Sequence, residues 1–267
     1  MINLHNVSLA YGVKNISAQI PQGKLVGIMG GNGAGKSTLL KAIAGILPLE
    51  TGSILLNDKP LTEMRLTEKS QILAYFAQST NIYWDLSVYD VIALGLPETL
   101  LNPKEKVGSK EDKFFDRLFN SSHQQWQQEK IQQAAKQFSV QHLLEQPFQQ
   151  LSGGEKARVQ LARCCIKNAL ILLADEPIAP LDPYYQIDIL EQLKSLTPDT
   201  TCVLAIHHLD LAYRFCDEII LLHQGNLLAH GNTQNVLTAE NLAIAFGVKA
   251  EINVEKRWIG EIDKCMK

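Results

Sequence analysis

Three segments of the 267-residue chain carry side chains whose types and spacing can act on phosphate. The first is Gly30-Gly31-Asn32-Gly33-Ala34-Gly35-Lys36-Ser37, followed by Thr38, which satisfies G-x-x-x-x-G-K-[ST] in full. Glycines let the backbone wrap around phosphates with its N–H groups inward. Lys36 is then placed to bridge β- and γ-oxygens, and the Ser37 hydroxyl to ligate Mg²⁺. The second segment is Asp175-Glu176, after the apolar run Ile171-Leu172-Leu173-Ala174. Ligands of open α/β sheets lie at strand carboxyl ends, so Asp175 suits a metal's outer shell or a water-mediated contact. Glu176 suits a general base for an attacking water. The third is Leu151-Ser152-Gly153-Gly154-Glu155, just before Lys156–Arg163. Ser152 and Glu155 have capping-box spacing, which needs no function at all. Two glycines at a helix start also make a second anion site. Two such helix starts for one nucleotide suggest a site shared between two subunits.

The elements that must position these groups follow from apolar periodicity. Leu25–Met29 reads as a buried strand running straight into the glycine loop. Leu39, Leu40, Ile43 and Leu47 then continue at helical spacing until Pro48. Earlier strands are expected within Ile2–Ala10 and Lys14–Ile20. Residues 85–150 turn helical, with Ile131, Ala134, Ala135 and Phe138 on one face, while Asn102–Ser122 reads as a surface excursion. From Leu170 the α/β pattern returns: Ile171–Ala174, Cys202–Ile206, and a hairpin over Asp217–Gly231 turning at Gln224-Gly225-Asn226. Asp182-Pro183 reads as an N-cap followed by proline at the first helical position.

Composition narrows the class of partner. The chain is 46% hydrophobic and 20% charged, which is ordinary globular usage. Lys plus Arg number 25 against 28 for Asp plus Glu, a net charge of -3, so no basic surface for nucleic acid is expected. Five cysteines without C-x-x-C spacing read as reduced thiols of a cytosol-like compartment. No secretory signal is visible, and no apolar run reaches the roughly 18–20 residues of a membrane span.

Taken with their order along the chain, the motifs make this sequence similar to the nucleotide-binding subunits of ATP-binding cassette (ABC) transporters. Leu151–Glu155 matches the family's signature motif, the glycine loop its Walker A, and ILLADEP its Walker B with the following glutamate. The resemblance covers nearly the whole chain. It implies an α/β P-loop NTPase cassette with a RecA-like core, an antiparallel β-subdomain and an inserted α-helical subdomain. Residues 1–84 and 160–245 would form the core with the β-subdomain, 85–159 the helical subdomain and 246–267 a C-terminal tail.

Carried over residue by residue, Tyr11 corresponds to the aromatic that stacks on adenine. Gln78 corresponds to the glutamine that reaches metal and attacking water. Ala179-Pro180-Leu181-Asp182 corresponds to the D-loop, with proline where the family usually has alanine, and His208 to the histidine on the γ-phosphate. His208 is preferred over His207 because Leu209–Ala212 continues as the family's next helix does. Metal binding by the pair lacks further Cys or Asp at ligand spacing.

The resemblance further implies ATP and Mg²⁺ as ligands and a homodimer in the ATP-bound state. Each nucleotide would lie between Lys36 of one copy and Ser152, Gly153 and Gly154 of the other. Two membrane-spanning permease subunits would dock near residues 78–95, an external substrate-binding protein would act indirectly, and the chain would sit peripherally on the cytoplasmic face of the inner membrane. Trp84–Gly95 and Glu240–Val248 are similar to importers of siderophores, haem, cobalamin and metal chelates. Residues 97–127 read as an insertion, and zinc or manganese importers remain competitors. An iron–sulfur assembly ATPase and an exporter motor are the alternatives.

Overall fold

The computed structural model describes residues 1–78, 85–96, 112–255 and 258–264. In chain order the elements are β1 (Ile2–Ser8), β2 (Ile16–Ile20), β3 (Leu25–Met29), α1 (Lys36–Ile43), β4 (Thr51–Leu56), β5 (Lys59–Pro60), α2 (Leu66–Ile72) and β6 (Leu73–Phe76). There follow α3 (Val88–Ala93), α4 (Asp112–Gln137), α5 (Gly153–Cys165), β7 (Ile171–Asp175), α6 (Pro183–Ser195), β8 (Thr201–Ala205) and α7 (Leu209–Phe215). The chain closes with β9 (Glu218–His223), β10 (Asn226–Asn232), α8 (Thr233–Val236), α9 (Ala239–Phe246), β11 (Val248–Asn253) and β12 (Trp258–Lys264).

Two compact units result, one of Met1–Ser79, Ala169–Ala179 and Pro183–Lys267, the other of Thr80–Asn168 and Pro180–Asp182. In the first, a six-stranded sheet runs in the order β10-β9-β3-β8-β7-β6 and an antiparallel sheet in the order β2-β1-β4-β5. Strands β3, β6, β7, β8 and β9 are mutually parallel, whereas β10 returns antiparallel to β9. Every residue of β3, β7 and β8 is buried, as strands covered on both faces require. Val26, Ile28, Leu173, Val203 and Ile220 form a core cluster with Leu39, Leu40 and Ile43 of α1 and with Ile2, Leu4 and Ile54 of the antiparallel sheet.

Register decides where chemistry can occur. Phe76 pairs with Ala174, and Asp175 pairs with Ala205. The carboxyl ends of β6, β7 and β8 therefore lie level, and Gln78, Glu176 and His207 all leave the sheet at the same edge.

The second unit is helical over its described residues. Ile131, Ala134, Ala135 and Phe138 are buried together, at 1%, 6%, 0% and 0% exposure, as their spacing predicts. Ser87 caps α3 by accepting from the Asp90 amide, and the Asp90 carboxylate accepts from the Ser87 amide in return. Backbone helix extends back to Asp112, so part of the expected surface excursion is α4; residues 97–111 of the expected insertion lie outside the described residues.

Among the described residues, Cys165, Cys202 and Cys216 are buried packing groups. Burial pushes the Cys202 and Cys216 thiols up to about 12. A thiolate is the reacting form, so an aromatic disulfide reagent at pH 8 is expected to label Cys202 and Cys216 only as the chain unfolds. Rapid labelling of either in the folded protein would contradict their place in the core.

Candidate functional site: a phosphate-binding cleft at the strand ends

The loop between β3 and α1 has one conformation open to it. Gly35, the N-cap of α1, has φ 99°, and a Cβ there would lie 1.9 Å from the Gly12 carbonyl oxygen. Lys36 is 6% exposed, and its ammonium donates to the carbonyls of Gly30 at 2.9 Å and Gly31 at 3.0 Å. Burial lowers its pKa, against the raising influence of the Glu176 and Asp175 charges.

Ser37 donates its hydroxyl to Asp175 Oδ1 at 2.8 Å. Asp175 is 1% exposed, and burial pushes its carboxyl pKa up, with the Ser37 hydrogen bond opposing and the Glu176 charge adding. A divalent cation fits this donor set: two hard oxygen donors side by side, one a carboxylate whose burial a positive charge would offset.

Glu176 follows directly with φ 53°, in the left-handed region, a conformation that costs a non-glycine residue about 1–3 kcal/mol. Its amide is held by the Ala205 carbonyl at 3.2 Å. Its Oε2 accepts from Gln78 Nε2 at 2.9 Å, and its Oε1 lies 2.5 Å from His207 Nε2. Residues from three adjacent parallel strands thus converge on one carboxylate.

Of the two neighbouring histidines, this convergence includes His207. His208, expected to face the site, is instead the exposed N-cap of α7, and His207 reaches Glu176. Neighbouring side chains of an extended segment point to opposite sides, so only one of the pair can turn inward. Starting α7 at Leu209 selects the first.

Tyr11, Gly12, Asn32, Gly33, Gly35, Lys36, Ser37, Thr38, Glu176 and His207 line one cleft. Gly30, Gly31 and Ala34 lie outside that lining; Ala34 is 4% exposed. Tyr11 is 63% exposed at the rim, and its segment is braced by the Lys14 amide on the Gly225 carbonyl at 2.8 Å. That bond comes from the β9–β10 turn and has no signature in the sequence near Tyr11.

Ser152, Gly153, Gly154 and Glu155 belong to the helical unit, as does Asp182. Ser152 caps α5, accepting from the Glu155 amide at 3.3 Å, while the Glu155 carboxylate accepts from the Ser152 amide at 2.9 Å and hydroxyl at 2.7 Å. Those bonds hold the Glu155 carboxyl below the usual range. Pro180 and Leu181 lie beside the two glycines, within 3.9 Å and 3.4 Å of where their Cβ atoms would be. Asp182 is exposed, just ahead of α6.

Known proteins resemble this chain in sequence and in fold. Residues 13–179 match the family described as ABC transporter. A hemin import ATP-binding protein, HmuV of Bordetella avium, is 31% identical over 98% of this chain and 97% of its own. The manganese transport system ATP-binding protein MntB of Listeria innocua is 34% identical over 92% of this chain and 96% of its own. The dimeric bacterial ABC transporter cassette MJ0796 is 25% identical, superposing with a TM-score of 0.71 over 87% of this chain and 99% of that one. A phosphate loop on a parallel sheet, an acidic pair at the end of β7 and a capped glycine helix start, in a chain with such relatives, have one explanation: the chain belongs to the ABC transporter family and is one of its ATP-binding, ATP-hydrolysing subunits.

Proposed function

We propose that this chain is the motor of an ABC importer for haem or a related metal chelate. The observation that carries the reading is end-to-end similarity to a hemin import ATP-binding protein, covering 98% of the chain. No described helix is long and apolar enough to cross a membrane, and in this reading separate permease subunits form the transport path. These dock near residues 78–95, of which 79–84 lie outside the described residues, and hold the motor on the cytoplasmic face of the inner membrane. A substrate-binding protein outside the membrane delivers the cargo. A second reading, a manganese importer, is favoured by the 34% identity to MntB.

Catalysis follows from the cleft. The loop amides and Lys36 take the β- and γ-phosphates, displacing the ammonium from its carbonyl partners. Ser37, Asp175 and Gln78 would hold Mg²⁺, which would supply positive charge against the developing charge of the γ-phosphoryl group. Glu176 accepts a proton from the attacking water, and Tyr11 stacks on the adenine. His207 leaves Glu176 for the γ-phosphate. A second copy supplies Ser152, Gly153 and Gly154 to complete each site, with Asp182 at the junction. The dimeric structure of MJ0796 supports the pairing of two copies.

The histidine assignment has a direct test. His207→Ala is expected to lower kcat about a hundredfold, the lower end of what one donor to developing transition-state charge supplies, while His208→Ala stays near wild type. The reverse order would restore His208. For the importer itself, a tagged chain is expected to co-purify with a permease pair, and its disruption to abolish hemin uptake. Loss of manganese uptake with hemin uptake intact would select the second reading.

A further inference from the structure

Helix α9 ends against the phosphate loop. Ala245 sits in its last turn, 7% exposed, and its carbonyl oxygen is 3.3 Å from where a Cβ of Gly31 would be. The last carbonyls of a helix lack intrahelical partners and form its negative end. That end therefore faces a loop whose task is to receive an anion. Gly31 is also one of the two residues whose carbonyls hold Lys36 at rest.

The chain after α9 leads to the other side of the site. Gly247 caps the helix with φ 69°, and β11 begins at the next residue. Strand β12 pairs with β11 and packs against α7, the helix that His207 and His208 precede. Residues 239–255 and 258–264 thus touch the loop that holds phosphate and the helix behind the residue on Glu176. A single residue joins α9 to the hairpin, so movement at one contact is passed to the other.

We propose that this C-terminal module is a brake on hydrolysis. It holds the phosphate loop and the His207–Glu176 pair in their resting arrangement, and the bound nucleotide has to displace it before His207 can move. The inference rests on the reading that His207 exchanges Glu176 for the γ-phosphate.

Two substitutions loosen the module without touching the cleft. Gly247→Ala strains the left-handed cap, where a Cβ meets nothing within 4 Å, and Ile259→Ala removes the buried side chain of β12, which is 3% exposed. Steady-state ATP hydrolysis by the full chain is expected to rise about fivefold or more in kcat in both, the scale of an ordinary coupling between sites, with the KM for ATP no higher. General damage to the fold lowers the rate, so acceleration is specific to a brake. Rates at or below wild type, or no rate in any form, overturn the proposal. If Ile259→Ala does not fold, Gly247→Ala decides alone. Failure of the histidine reading is seen separately, as an unslowed His207→Ala.

Discussion

Glu176→Gln is expected to bind ATP as the wild type does and to lose about 10²–10⁴-fold in kcat, the range a positioned general base supplies. The substitution is nearly isosteric. Glutamine keeps an oxygen for the Gln78 amide and a polar group beside His207, and it meets the same left-handed backbone at φ 53°. What it lacks is a carboxylate able to take the proton of water. Single-turnover hydrolysis with radiolabelled ATP, beside equilibrium binding, separates the two effects. Retained turnover would remove Glu176 from its role; lost binding would mean that the carboxylate shapes the cleft rather than the reaction.

Lys36→Ala is expected to fail earlier, at binding. The ammonium is almost fully buried and spends two hydrogen bonds on the Gly30 and Gly31 carbonyls. Its removal takes a cation from the Glu176 and Asp175 carboxylates, but Asp175 keeps the Ser37 hydroxyl as donor, and the fold should persist. Losing one partner of a buried charge pair costs about 2–5 kcal/mol, so ATP affinity should fall at least about 30-fold. Titration calorimetry measures it, and unchanged affinity would show that the amides alone hold the phosphates.

How much of this was open to inspection in the sequence depends on whether a feature is local. The glycine loop is local: β3 ends at Met29 and α1 starts at Lys36, as the motif requires. The apolar run Ile171–Ala174 is equally local, and it forms the covered strand β7, which ends at Asp175. The helical face of Ile131, Ala134, Ala135 and Phe138 was legible from period alone.

Features set by tertiary context were not. Whether His207 or His208 turns inward depends on where α7 begins, which periodicity leaves open by a residue. The segment after Gly247 reads as a tail because its apolar residues are sparse and its turn, with Val254-Glu255, lacks an Asn-Gly or Asp-Gly signal. It is nonetheless a hairpin, with Ile252 opposite Ile259. Cys265 lies outside the described residues, and Trp258 is 47% exposed on β12.

Closure of two copies around ATP is the step on which the proposed hydrolysis depends. Light scattering of Glu176→Gln with Mg²⁺ and ATP measures that state, because blocked hydrolysis leaves the closed form to accumulate. The predicted result is a mass twice the 29.7 kDa of the chain, reverting when nucleotide is removed. ATP bound one to one on a chain that stays at 29.7 kDa would contradict it.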